Sequence, residues 1–267
     1  MSGYLKRALA DGDSPAGNWI SIGHPSLSEV STELGFDFVL VDTEHTTMSL
    51  ETVENHVRAV DAADGPADAV IRVPSNDPIR IKRVLDTGAA GVMVPMVESA
   101  DEAERIAEAV RYPPDGNRGI AGGRASRYGL EFQEYVENAN DSVVTIAQIE
   151  TRAGIQNAGE IARVDGVDAL FVGPADMSAA LDVFAEWEAD ELTDAIERVV
   201  AVAEETDTPV GTLTVDQSDI SERVDQGFDF LIVGKDMSLF AAAATDAKET
   251  YESALGELSP SIPSEDD

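Results

Sequence analysis

The sequence predicts an α/β fold, a (β/α)8 TIM barrel, and three observations predict it. The chain has 267 residues, close to the length at which an eightfold strand–helix barrel closes around one core. Short apolar runs alternate with stretches whose apolar residues recur at helical spacing, the pattern of parallel strands joined by crossover helices. Three runs also echo one another: FDFVLVD (36–42), VDALFVG (167–173) and FDFLIVG (228–234), each just after a helical stretch.

Each element has its own warrant. Residues 18–23 (NWISIG) read as the first strand, and 26–34 as a short helix capped by Ser26 and ended by Gly35. The second strand spans 36–42, with Thr43, Glu44 and His45 just beyond it. Residues 50–62 place Val53, Val57 and Val60 on one helix face. The third strand, 69–73 (AVIRV), is closed by Pro74, and the helix over 78–86 by Gly88. The fourth strand covers 91–97, followed by an amphipathic helix over 99–110. Residues 111–128 (RYPPDGNRGIAGGRASRY) form a long irregular stretch rich in Gly and Arg, and loops of that length are often functional. Strands follow at 143–150, 169–173, 209–215 and 228–234, with helices over 191–205 and 218–224 and an apolar C-terminal helix over 239–255. One barrel domain is expected over 1–257. Residues 258–267, with two prolines and three terminal acids, read as a disordered acidic tail.

The chemistry centres on residues 143–177. Two apolar runs there are each followed by a carboxylate, Glu150 and Asp176, and the segment between is helical, ended by Gly166. In a right-handed βαβ unit both acids fall at the carboxyl ends of neighbouring parallel strands, the active-site face of a barrel. Each acid alone reads more readily as a helix cap. Together, preceded by Gln148 and by Gly173-Pro174-Ala175, they suit an oxygen-rich site for a hard divalent cation.

Composition excludes several classes. With no cysteine there are no disulfides and no thiolate metal sites. No apolar run is long enough for a signal peptide or a membrane span, so a cytoplasmic protein is expected. The formal charge is −34, and Lys6, Lys82, Lys235 and Lys248 are the only lysines. Nucleic acid is therefore not a partner, because binding it needs a positive footprint. The 43% hydrophobic content argues for a folded chain under an acidic coat adapted to high salt, not for disorder.

His45 lies beside Asp42 and Glu44 and reads either as a surface loop histidine or as a general base, since a histidine near a carboxylate gains basicity and a fixed tautomer. His24 precedes Pro25 at the end of the first strand and could line a pocket, whereas His56 falls inside a helix and reads as structural. Arg72, a charge within an apolar strand, must meet something polar: an ion pair with Asp42 or Glu150, or an oxyanion developing in a reaction.

Taken together, Trp19, FDFVLVDTEH, IRVP, LDTGAAGVMVPMVES, YPPDGNRGIAG, AQIET and VGPADMSAAL resemble the HpcH/HpaI aldolases, from about residue 19 to residue 235. The resemblance implies a barrel of the phosphoenolpyruvate/pyruvate type. It implies a class II, metal-dependent lyase that cleaves or forms 4-hydroxy-2-oxo acids through a pyruvate enolate, with a 2-oxo acid and an aldehyde as substrates. It further implies Mg2+, Mn2+ or Co2+ on Glu150 and Asp176, His45 as proton acceptor and Arg72 as enolate stabiliser. Gln148 and the Gly173-Pro174-Ala175 backbone would hold the pyruvate moiety. Asp42 would stand beside His45, and Asp86 would raise the basicity of His45, from a neighbouring subunit if need be. A homo-oligomer is implied, a hexamer built as a dimer of trimers. The loop after the second strand departs from the family pattern by reading TEHTTMSL, which leaves the aldehyde open.

Two other chemistries stand beside this one. Lys235, just past the eighth strand in VGKDMS, could form a Schiff base in a class I aldolase. A coenzyme A thioester lyase would need a basic patch, for which the sequence offers Arg118, Arg124 and Arg127. A non-catalytic barrel leaves the His, Arg and paired carboxylates without a purpose.

Overall fold

Runs of Val, Ile, Leu and Phe form eight parallel strands, hydrogen-bonded in chain order into a closed barrel. The computed structural model describes residues 3–214 and 216–258. The strands are β1 (Ala16–Ile20), β2 (Phe38–Asp42), β3 (Asp68–Arg72), β4 (Gly91–Val94), β5 (Val144–Ile149), β6 (Ala169–Val172), β7 (Val210–Leu213) and β8 (Phe230–Lys235). The helices are α1 (Tyr4–Asp11), α2 (Ser26–Glu33), α3 (Leu50–Ala62), α4 (Pro78–Leu85), α5 (Ala100–Val110), α6 (Phe132–Ser142), α7 (Arg152–Ala162), α8 (Pro174–Ala180), α9 (Asp190–Thr206), α10 (Ile220–Asp225) and α11 (Asp236–Leu258).

Alternation along the strands divides the core into two shells. Phe38, Leu40, Val70, Met93, Ile146, Phe171, Phe230 and Ile232 fill the lumen. Their neighbours Val39, Val41, Ile71, Val92, Ala147, Leu170 and Leu231 meet the helices outside. Helix α1 closes the N-terminal face by adding Leu5 and Leu9 to the lumen cluster. It is fixed there by Leu5 N–H donating to Asp68 at 2.8 Å and by a Lys6–Asp168 ion pair at 3.1 Å.

The echo in the sequence has a structural cause. Asp37, Asp168 and Asp229, the acids that open the three echoed runs, accept the N–H of Ala16, Thr145 and Val210 at 2.9, 2.8 and 2.8 Å. Each carboxylate satisfies a backbone donor in the first two residues of the preceding strand, which would otherwise lack a partner.

Most elements lie where the sequence places them, with differences at their ends. Helix α2 begins at Ser26 itself, with Pro25 before it and no side-chain cap. Strands β4 and β7 are shorter than expected, and β8 extends to include Lys235. Helices α1, α6 and α8 are additional, and the C-terminal helix starts at Asp236, not residue 239. The expected tail, apart from Leu258 at the end of α11, lies outside the described residues. Among the described residues, no helix is long and apolar enough to cross a membrane.

Candidate active site

The lumen-facing residues at the carboxyl ends of the strands stop being apolar. Asp42 and Arg72 end β2 and β3 as register partners. The Arg72 fork grips Asp42 with Nε–Oδ1 at 3.0 Å and Nη2–Oδ2 at 2.8 Å, while Nη1 lies 2.8 Å from Glu44 Oε2. The guanidinium carbon sits 4.5 Å from the Trp19 ring centroid, a cation–π stack from β1. Burial pushes the Asp42 carboxyl up, but the Arg72 hydrogen bonds and charge, with the N–H groups of Glu44 and His45, outweigh it and hold Asp42 below the usual range. Glu44 goes the other way. Burial raises it, the acids Asp42 and Asp176 add to the rise, and Arg72 and His45 oppose it only in part.

Across the mouth, Gln148 lies on β5 and Glu150 directly follows it. Glu150 is 2% exposed. Its Oε1 accepts the Met96 N–H at 2.9 Å and its Oε2 the Gln148 amide at 2.5 Å. Burial, with Asp176 and Glu44 nearby, pushes Glu150 up to about 7 against the Met96 hydrogen bond and the Arg72 charge. The Gln148 Oε1 is buried without a partner. Strand β6 passes so close that a Cβ on Gly173 would lie 2.5 Å from Glu150 Oε2 and 2.8 Å from Gln148 Nε2. Asp176 is exposed in the first turn of α8, four residues past the end of β6 and not at the strand end that the sequence suggested.

These residues fit a hard divalent cation. The donors are carboxylate oxygens, Glu150 is buried among acids that Arg72 balances only in part, and a glycine keeps the approach open. Among the described residues no three His, Cys, Asp or Glu side chains gather as a complete cage. Two protein carboxylates would thus leave coordination positions for water and substrate.

Two of the expected residues, His45 and Asp86, stand apart from this cluster and from each other within one chain. The His45 ring is 69% exposed, and its nearest carboxylate is Glu44 at 3.9 Å, beyond hydrogen-bond length. Asp42 touches only the His45 backbone N–H, at 3.4 Å, so no acid orients the imidazole within one chain. Asp86 follows the C-terminal end of α4, and barrel helices run back toward the opposite face from the strand ends. It pairs there with Arg118 at 3.2 Å, so only another copy of the chain could bring Asp86 to a mouth. The cations that coenzyme A phosphates would need are engaged as well: Arg118 with Asp86, Arg124 with Asp61 and Arg127 with Glu131. His56 is fully buried against Ser28, between α3 and α2.

Sequence reasoning gave no role to Trp19 or the Met96 N–H, and Glu44 entered only as a carboxylate beside His45. Glu44 could have been singled out as an acid adjoining a predicted strand end. The Met96 contact depends on a backbone turn with φ 56°, which no residue pattern there signals.

The family model for HpcH/HpaI aldolase/citrate lyase matches residues 16–243. The chain belongs to this family. Among its HpcH/HpaI relatives is a protein of Novosphingobium aromaticivorans named 4-hydroxy-2-oxovalerate aldolase, 42% identical over 91% of this chain and 92% of that one. A protein of Escherichia coli named 4-hydroxy-2-oxo-heptane-1,7-dioate aldolase is 36% identical over 91% of this chain and 93% of its own length. The crystal structure of an HpcH/HpaI aldolase/citrate lyase family protein from Burkholderia cenocepacia superposes with a TM-score of 0.90 at 33% identity, covering 93% of this chain and 98% of that one.

Proposed function

We propose that this chain is a class II aldolase, cleaving 4-hydroxy-2-oxo acids to pyruvate and an aldehyde with a divalent cation held by Glu150 and Asp176. The observation that carries the reading is Glu150. It is buried, faces Asp176 and Glu44, and is pushed up to about 7, with the Arg72 charge offsetting the cluster only in part. Mg2+, Mn2+ or Co2+ would fit this oxygen set. When bound, the cation supplies Lewis-acid stabilisation for negative charge on the 2-oxo oxygen.

The side chains do the rest. Gln148 and the Gly173-Pro174-Ala175 turn hold the 2-oxo acid head, and the free first-turn N–H groups of α8 face its carboxylate. Arg72, fixed by Asp42, Glu44 and Trp19, directs its remaining N–H bonds at the same oxygen. His45 takes the proton from the C4 hydroxyl. The C3–C4 bond then breaks, C4 leaves as the aldehyde, and the bonding pair delocalises from C3 onto the C2 oxygen as an enolate. Protonation at C3 gives pyruvate. The names of the two relatives differ at the far end, one being a monocarboxylate and the other a dicarboxylate. The assembly we propose is a homo-oligomer, a hexamer whose neighbours bring Asp86 to His45, in the cytoplasm.

The test is a retro-aldol assay over a panel of 4-hydroxy-2-oxo acids, with enzyme stripped by chelator and then resupplied with each metal. Activity that disappears on chelation and returns with metal supports the reading. Full activity in chelator, with a borohydride-trapped pyruvate adduct on Lys235, replaces it with the class I mechanism.

A further inference from the structure

We infer that Lys235 is a specificity-determining residue of this site, the cation that receives a second, distal carboxylate on the acceptor half of the substrate. The inference starts from a break in strand alternation. Between β1 and β8, Gly17 pairs with Ile232 but Trp19 pairs with Lys235, so β8 spends three steps where β1 spends two. Ile232 faces the lumen, and Val233 packs among the outer residues. Gly234 also points outward. A Cβ there would lie 2.8 Å from Leu239 on α11 and 3.5 Å from Asn18 Oδ1, whose amide is bonded to Ser31 of α2.

With two successive residues turned out, Lys235 comes back to the lumen side beside its partner Trp19. Regular alternation would have turned it away. Bulges next to active sites commonly re-aim a side chain in this manner.

The amine so placed has no duty inside the chain. Among the described residues the Lys235 amine has no ion pair and no hydrogen bond, as is also true of Lys82 on α4, whereas Lys6 holds Asp168 and Lys248 holds Glu252. Its neighbour Asp236 is fully occupied, accepting the N–H groups of Ser21, Ile22 and Met237 at 2.9, 2.7 and 2.7 Å. In a chain with 52 acids and 18 Lys plus Arg, a half-buried cation without a carboxylate is placed to meet one from outside.

Position decides which carboxylate. The 2-oxo acid head sits at β5 and β6, by Gln148, Glu150 and Asp176, an assignment that rests on the aldolase reading. Lys235 stands on β8, two strands round from β6 and three from β5. A substrate anchored by its head therefore reaches Lys235 with its far end, on the flexible four-carbon stem of a lysine. The substrate class that follows is 4-hydroxy-2-oxo dicarboxylic acids, whose cleavage releases an aldehyde that itself bears a carboxylate.

The test compares 2-oxoglutarate with 2-oxopentanoate, two uncleavable 2-oxo acids of equal chain length that differ by the distal carboxylate. Their dissociation constants are measured by calorimetry in Mg2+ for wild type, Lys235→Met and Lys235→Arg. Wild type should favour 2-oxoglutarate, and Lys235→Met should lose on the order of 10- to 100-fold of that preference, with Lys235→Arg keeping most of it. The same ratio should appear in kcat/KM for dicarboxylic against monocarboxylic 4-hydroxy-2-oxo acids. Because each protein supplies its own monocarboxylic control, a general loss of packing leaves the ratio unmoved. A wild type with no preference, or a preference untouched in Lys235→Met, overturns the inference, as does a borohydride-trapped imine at Lys235. If wild type cleaves no 4-hydroxy-2-oxo acid with any metal, the aldolase reading falls, and the binding ratio alone still decides the role of Lys235.

Discussion

Arg72 illustrates how far a single residue can be read. The run AVIRVP announces a buried charge that needs a partner, and the sequence left Asp42 and Glu150 as candidates. The structure gives Asp42 both oxygens of the fork and adds Glu44 and the Trp19 face. The Trp19 stack was not legible, because β1 and β3 are separated by β2 and meet only through the lumen. Arg72→Lys keeps the charge but loses both the planar fork and the stack. We expect kcat/KM to fall by about 100-fold or more, with Asp42 left partly unpaired; steady-state kinetics that match wild type would contradict the role. His56 was read correctly as structural, and its environment sets a pH dependence. Burial lowers it from 6.5 to about 4, with Asp236 opposing and His24 adding to the fall, and its Nδ1 lies 2.8 Å from Ser28 Oγ. The folded state thus keeps the ring neutral while the unfolded chain protonates it near 6.5. Its contribution is fully present above about pH 6.5 and is lost as pH falls toward 4, by ~1.4 kcal/mol per pH unit. Denaturant unfolding of wild type and His56→Gln in molar KCl, from pH 7 to 4.5, should give a wild-type curve that falls more steeply; parallel curves would remove the assignment.

Elements were legible where a period ran long enough. Helix α3 lies where its Val53, Val57 and Val60 spacing put it, and α5 begins after Ser99, whose hydroxyl accepts the Glu102 N–H at 3.3 Å. Helix α8 was missed because seven residues opened by a proline are too few to show a period. Helix α6 buries only Tyr135 and Ala139, so its apolar stripe is thin. Helix α1 starts from a glycine at φ 54° with no side-chain cap, which removes the usual start signal. The β8 bulge has no sequence signature beyond Gly234, since register is settled by the neighbouring strand. At this scale Gly173 makes the sharpest prediction. Gly173→Ala places a methyl 2.5 Å from Glu150 Oε2 and 2.8 Å from Gln148 Nε2, so these two buried, mutually bonded side chains must shift. The displacement should cost about 1–3 kcal/mol of stability and move Glu150 out of place. Mn2+ affinity, read by calorimetry, should drop at least about tenfold, the equivalent of 1.4 kcal/mol; unchanged affinity would show that the close approach does not position the site.

Over the whole molecule the governing quantity is a formal charge of −34, from 52 acids against 18 Lys plus Arg. Some of those acids are internal devices: Asp37, Asp168 and Asp229 tie strand ends, and Asp42 holds Arg72. The remainder form a coat, as in α9, where Glu191, Asp194, Glu197, Glu204 and Glu205 lie on one seventeen-residue helix with Arg198 as its only Lys or Arg. Like charges at this density repel, and the compact state suffers more than the expanded chain because it holds them closer together. Added salt shortens the Debye length from about 10 Å at 0.1 M to about 3 Å at 1 M, so repulsion between neighbouring carboxylates fades. The same screening weakens the surface pairs Arg58–Glu54, Arg127–Glu131 and Lys248–Glu252, but exposed pairs are worth only about 0–1 kcal/mol each. The buried Arg72–Asp42 pair is screened much less. Repulsion therefore wins, and the melting temperature should climb steeply between 0.1 and 2 M KCl at neutral pH. Acid offers a second way to discharge the coat, toward the sequence pI of about 4.1, but it also protonates the internal devices. Asp42, held below its ordinary value by Arg72 despite its burial, contributes stability that is present above the unfolded carboxylate pKa and lost as pH falls through its lowered one. Low-salt protein should accordingly lose stability less steeply than protein in 2 M KCl as pH falls from neutrality toward the sequence pI, because discharge of the coat offsets part of the loss from His56 and Asp42. A melting temperature that stays flat from 0.1 to 2 M KCl would mean the coat is not a salt adaptation.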